Sequence, residues 1–112
     1  MANEAFVKKE RPAESGKSTA RRRTNKAFAK HIEQRTRQFA ARVIEISRKL
    51  PDTPEGRIIK NQFTKASTSV GANYREANRS WSQRDFLHKM HLCETECAEV
   101  QYYRLFSKNL RF

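Results

Sequence analysis

Residues 50–77 read LPDTPEGRIIKNQFTKASTSVGANYREA and contain a helix end, a helix start and one amphipathic helix. Pro51 ends the preceding helix, because a proline pushes the residue before it out of the α region. Thr53, Pro54 and Glu55 place a hydroxyl at the N-cap, a proline at N1 and a carboxylate in the first turn. Apolar residues then recur every three or four positions, which predicts a helix over residues 54–78. Its buried stripe comprises Ile59, Phe63, Ala66, Val70 and Ala77.

Similar apolar periodicity on both sides of this segment predicts two more helices, over residues 25–50 and 81–107. Ser80 or Ser82 is expected to cap the later one. The stripe of the earlier helix comprises Phe28, Ile32, Phe39, Val43, Ile46 and Leu50. The stripe of the later helix comprises Phe86, Met90, Cys93, Cys97 and Val100. Long helices joined by short links predict an all-α, up-down antiparallel helical bundle.

The chain has 112 residues, which is enough for one small domain. Only 37% of them are hydrophobic, whereas ordinary globular domains have roughly 45–50%. There are 24 basic and 12 acidic residues, and the formal net charge is +12. Residues 1–30 hold nine of the basic residues and only three of the acidic ones. This composition predicts a disordered basic arm over residues 1–23, followed by a helical bundle domain over residues 24–112.

Several classes of protein are excluded by what the sequence contains. No segment approaches the roughly 18 apolar residues of a membrane span. A signal peptide is not expected, since Phe6 and Val7 are followed at once by charged residues. Three glycines and three prolines are too few for the turns of a sandwich or barrel, and two cysteines form no disulfide framework. We therefore expect a cytoplasmic protein with no membrane partner.

The residues that could carry chemistry do not form a convincing site. His88, His91, Cys93 and Cys97 have the types of zinc ligands, but on a helix the two histidines and the two cysteines lie on nearly opposite sides. We interpret the cysteines as small core residues. Arg84 and His88 share a helix face, but their spacing is one residue shorter than the Arg/His motif of HEPN-type ribonucleases. We expect no catalytic residues, no metal and no cofactor, and a HEPN-like ribonuclease is the weakest alternative.

The density of basic residues predicts binding to a polyphosphate. We expect RNA in preference to DNA, bound through its phosphates with little reading of bases. Alternatives are an acidic protein, an anionic surface, or an arm that only improves solubility. The candidate contacts lie on the arm, the first helix, and the second helix with its exit: Arg21, Arg22, Arg23, Lys26, Lys30, Arg57, Lys60, Lys65, Arg75 and Arg79.

Four features make the chain similar to a known family: residues 50–62, residues 66–77 with the run Ser-Val-Gly-Ala-Asn-Tyr-Arg-Glu-Ala, residues 82–89, and the ending with Glu96, Glu99, Tyr102 and Tyr103. Over about residues 38–106 the chain resembles a bacterial four-helix bundle family. The family includes proteins encoded in intervening sequences of 23S ribosomal RNA genes and the accessory variability determinant of diversity-generating retroelements. Residues 1–25 have no counterpart in this resemblance.

The resemblance implies a non-catalytic bundle that assembles as a pentamer and uses a basic surface to bind nucleic acid or a reverse transcriptase. It places Asn73, Glu76 and Asp85 at family motif positions, which we interpret as structural. The family's fourth helix has no counterpart before Phe112. Apolar side chains of the third helix are therefore expected to stay partly uncovered, which favours a homo-oligomer. Asn73 and Ser69 on the second helix and Glu96 and Glu99 on the third are expected to form a hydrogen-bond network between helices, with a ligand or subunit contact as the alternative.

Overall fold

The computed structural model describes the backbone of residues 16–110 and the side chains of residues 25–110. This part of the chain forms three α-helices: α1, Gly16–Ser47; α2, Pro54–Ala77; and α3, Gln83–Asn109. Helices α1 and α3 each pack against α2, and their backbones do not approach each other. The predicted all-α helical bundle is confirmed, with α2 as its central helix.

Helix α1 begins earlier than the predicted residue 25. Residues 16–23, which fall within the predicted disordered arm, have helical backbone, while residues 1–15 of that arm lie outside the described residues. Alanine, arginine and lysine are good helix formers, and extending an existing helix costs far less than starting one. The helix therefore continues past the point where its apolar periodicity stops.

The two links have the local chemistry that the sequence predicted. The Thr53 side chain accepts a hydrogen bond from the Gly56 amide at 3.0 Å, and Ser82 accepts one from the Asp85 amide at 3.0 Å. Of the two candidate caps for α3, the N-cap is thus Ser82. Gly56 is buried where a Cβ atom would collide with the carbonyl oxygen of Pro51, so only glycine permits this close turn.

Contacts between the helices establish that neighbours run antiparallel. Asn78 at the end of α2 bonds to Glu33 of α1, while Val43 of α1 packs with residues near the start of α2. On the other side of α2, the Cys93 thiol donates to the Val70 carbonyl at 3.5 Å. Further along, the rings of Phe63 and Tyr103 meet edge to face with centroids 6.4 Å apart. Higher-numbered residues of α1 and of α3 therefore contact lower-numbered residues of α2, as expected for antiparallel helices.

The hydrophobic core is centred on α2 and receives one side chain from each neighbour. Its buried members are Val43, Ile59, Phe63, Ala66 and Val100, with Leu50 and Tyr103 partly buried against them. All five residues of the predicted α2 stripe are buried, which confirms that prediction.

The predicted stripe of α1 is only partly correct. Val43 is buried and Ile32 and Leu50 are half-buried, whereas Phe28, Phe39 and Ile46 are exposed. The face packed on α2 also buries two small residues that were not predicted, Ala29 and Ser47. The reason is a close helix contact. A Cβ atom on Gly71 of α2 would lie 2.9 Å from Thr36 Oγ1 of α1, so small residues meet there and larger side chains are turned away.

The predicted stripe of α3 is only partly correct. Cys93 and Val100 are buried, Phe86 and Met90 are half-buried, and Cys97 is exposed. The interpretation of both cysteines as core residues therefore holds for Cys93 alone. Helix α3 has one described neighbour, so a single narrow face is covered and the flanks of its stripe remain in solvent.

The central position of Phe63 predicts a large stability loss on truncation. Phe63→Ala should lower the free energy of unfolding by about 3–5 kcal/mol, because it removes a ring that is 5% exposed and leaves a cavity. Urea denaturation followed by circular dichroism measures this loss. Ile58→Ala on the same helix is the control: its side chain is 61% exposed, and we expect a change within about 0.5 kcal/mol. Equal losses in the two variants would contradict this description of the core.

Candidate nucleic-acid interface

The first described turns of α1 and the end of α2 enclose a groove of about 520 Å³. Three of the predicted phosphate-binding residues line it: Lys26 and Lys30 from α1, and Arg79 from the α2 exit. Lys26 and Lys30 are one helical turn apart and therefore share a face. Antiparallel packing brings Arg79 opposite them, although it is about fifty residues away in sequence. The structure thus converts three scattered cations into one cluster.

The acid of this groove, Glu33, is engaged by a neighbouring amide. The Asn78 side-chain nitrogen donates to Glu33 Oε2 at 2.8 Å, joining α1 to the end of α2. Asn78 is 2% exposed, and its Oδ1 atom is buried with no hydrogen-bond partner among the described residues. Burial raises the pKa of the adjacent Tyr74, whose hydroxyl also interacts with Asn78 and Glu33. This polar cluster holds the groove walls together.

A second groove, of about 410 Å³, adjoins the first because Glu33 lines both. It lies between α1 and α2 at the small-residue contact, and Arg37 and Arg75 flank it. Arg75 is a predicted contact, whereas Arg37 was missed by sequence reasoning. Its signal was available, since Arg37 follows Lys30 by two helical turns and so lies on the same face. We call the five cations of the two grooves the basic seam: Lys26, Lys30, Arg37, Arg75 and Arg79.

The remaining predicted contacts do not join the basic seam. The side chains of Arg21, Arg22 and Arg23 lie outside the described residues, although their backbone is part of α1. Lys60 is half-buried and Lys65 is exposed, both in the first half of α2. Arg57 lies about 30 Å along α2 from Arg79 and forms an exposed ion pair with Asp52, with Nη1 and Oδ1 2.8 Å apart.

The residues at family motif positions have different structural settings. Glu76 accepts a hydrogen bond from Lys89 Nζ at 2.7 Å, which joins α2 to α3 and raises the pKa of Lys89. The Asp85 amide donates to the α3 cap. Asn73 donates to the Ser69 carbonyl at 3.0 Å within its own helix, so the predicted interhelical contact of this pair is wrong. The described polar contact between α1 and α2 is made by Asn78, one turn further along the helix.

The histidines and cysteines are not grouped as a metal site. Among residues 25–110, no three or more His, Cys, Asp or Glu side chains are arranged to hold an ion. Arg84 and His88 are both exposed in the first turns of α3. No described helix is long and apolar enough to cross a membrane.

Comparison with protein families gives one result that bears on the whole bundle. Residues 21–112 match the family described as 23S rRNA-intervening sequence protein. The match includes α2, α3 and all of the basic seam, and it confirms the resemblance seen in the sequence motifs. Searches of curated proteins and of solved structures give no match.

The two cysteines should react with thiol reagents at very different rates. Burial raises the pKa of Cys93 to about 11, so at pH 8 about one part in a thousand is thiolate, and its sulfur is also enclosed between α2 and α3. Cys97 is exposed on the next turn. Iodoacetamide should therefore label Cys97 alone in the folded protein and both cysteines in denaturant, as read by mass spectrometry. In the Cys97→Ser variant, rapid labelling of the folded chain would contradict the burial of Cys93.

Proposed function

The chain belongs to the 23S rRNA-intervening sequence protein family, and we propose that it is a non-catalytic protein that binds RNA through phosphate contacts along the basic seam. The observation that carries this proposal is the convergence of Lys26, Lys30 and Arg79 on one groove. Three cations that line one groove can contact phosphates of the same strand together, which scattered surface charges cannot do. The ribosomal RNA in the family's description favours RNA over DNA.

The charge balance of the seam supports phosphate binding. Five cations and one acid, Glu33, line the two grooves, so the seam stays positive overall although Glu33 keeps its charge in its hydrogen bond with Asn78. Each phosphate that such cations neutralise releases condensed counterions, which rewards binding whatever the base. The net charge of +12 adds a long-range attraction that raises the rate of encounter.

A binding role without catalysis is supported by the chemistry of the seam residues. The cations of the seam are lysines and arginines, which carry donors and no acceptor and so offer no general base. The carboxylate of Glu33 is held in a hydrogen bond by the Asn78 amide. The histidine that sequence reasoning considered for nuclease chemistry, His88, lies on α3, outside both grooves. These residues support a seam that holds a strand without cleaving it.

Salt dependence tests the proposal. Affinity for a structured RNA should fall steeply between about 50 and 200 mM salt, and the Lys30→Ala/Arg79→Ala double variant should reduce the slope of log affinity against log salt by about one unit per lost phosphate contact. Fluorescence anisotropy of a labelled RNA measures both quantities.

Arg57→Ala is the matched control, since it removes the same kind of charge about 30 Å away, where Asp52 already neutralises it. It should change the slope by less than half a unit. An affinity that is insensitive to salt, or equal effects of the two variants, would contradict binding at the seam.

An apolar strip on α1 favours protein association as a second function. Phe28, Ile32, Phe39 and Ile46 recur in steps of four and seven, so they share a face that is rotated away from α2, and three of the four are exposed. Exposed apolar strips of this kind mark interaction sites. We propose that this strip joins copies of the chain into a homo-oligomer, for which the resemblance suggests a pentamer; a reverse transcriptase is the alternative partner.

Sedimentation equilibrium tests the association. The wild-type chain at tens of micromolar should exceed its 13.2 kDa monomer mass, and Ile46→Glu should shift it toward monomer because it places a charge in the apolar contact. Ile58→Glu is the control, since Ile58 is equally exposed but lies on α2. A wild-type monomer at these concentrations would refute self-association. A mass unchanged by Ile46→Glu would remove the strip from the interface.

A further inference from the structure

The tryptophan of this chain, Trp81, is its most exposed large hydrophobic side chain among the described residues. It is 83% exposed, in the short link between α2 and α3, and the chain has no other tryptophan. A side chain of this size gains free energy whenever it leaves water. No described side chain covers it, so the ring is accessible to a ligand.

The backbone on both sides of Trp81 is anchored, so the indole is presented to solvent by an ordered link. Ser80 is 2% exposed, and its hydroxyl donates to the Ala77 carbonyl at 2.6 Å. Ser82 is the N-cap of α3 and accepts from the Asp85 amide. Tight anchoring at positions 80 and 82 leaves Trp81 little freedom to fold back onto the bundle.

The link places Trp81 two residues after Arg79, a residue that lines the cationic groove. Lys26 and Lys30 line the same groove, and the Cα atoms of Arg79 and Trp81 are at most about 7 Å apart. A cationic groove flanked by an exposed aromatic ring is the arrangement with which proteins bind single strands. In such proteins the cations hold the phosphates and the ring stacks on an unpaired base.

We propose that Trp81 stacks on an unpaired base of the RNA strand whose phosphates occupy the groove of Lys26, Lys30 and Arg79. This inference rests on the proposed function and narrows its ligand to single-stranded or looped RNA. Bases inside a duplex are already stacked on both faces and cannot meet the ring. Every base offers a π-face, so the contact discriminates unpaired from paired RNA without reading sequence.

Two RNAs of the same length test the inference on the full chain: an unstructured oligouridylate and a fully paired duplex. The oligouridylate should quench Trp81 fluorescence on binding, and the duplex should bind with much less quenching. Trp81→Ala should weaken oligouridylate binding about tenfold and leave duplex binding within about twofold. Trp81→Phe keeps a ring and should recover most of the affinity.

The groove variant separates this inference from the function on which it rests. Lys30→Ala/Arg79→Ala should weaken both RNAs, since both present phosphates. If that variant weakens both while Trp81→Ala weakens neither, or weakens both equally, stacking is refuted and phosphate binding stands. Failure of the wild-type chain to bind either RNA at low salt would refute both proposals. A blue shift of Trp81 emission that grows with protein concentration in the absence of RNA would show that a second copy covers the ring, and would also overturn the inference.

Discussion

The close contact between α1 and α2 determines how the rest of the molecule is arranged. Thr36 meets Gly71 at a distance that leaves no room for a Cβ atom on the glycine. Because the helices approach through small residues, α1 is rotated so that Phe28, Phe39 and Ile46 do not pack on α2. The same rotation directs Lys26, Lys30 and Arg37 toward the α2 side, where they meet Arg75 and Arg79. One steric constraint therefore separates a cationic side of α1 from an apolar side.

The sequence predicted the central helix well because its signals are local. Pro51, the Thr53 cap and the proline at N1 mark the start of α2, and one regular apolar stripe marks its buried face. The buried face of α1 could not be predicted in this way. Its large apolar residues and its small ones form two neighbouring stripes with the same period, and only the glycine on the partner helix decides between them.

For the candidate site, too, the features that depend on local sequence were predictable, and those that depend on helix packing were not. The spacing of Lys26 and Lys30 is visible in the sequence, and so is the exit position of Arg79. Their common groove depends on the antiparallel register, which sets Glu33 opposite Asn78. Asn78 itself carried no sequence signal, since a polar residue after a helix usually acts as a turn. In the sequence Arg57 and Arg79 look like equivalent basic residues of the second helix and its exit. The structure distinguishes them, because Arg57 pairs with Asp52 and Arg79 lines the groove.

The buried turn at Gly56 makes the junction of α1 and α2 the point about which α1 would tilt. With no spare volume against Pro51, the junction between α1 and α2 acts as the fulcrum, and Lys26 lies about 32 Å away along the helix axis. A tilt of about 5° at the junction therefore displaces Lys26 by about 3 Å. The Glu33–Asn78 hydrogen bond joins the two helices about 21 Å from this junction, near the middle of α1, so it resists such a tilt. One amide and one carboxylate thus help to fix the width of the cationic groove.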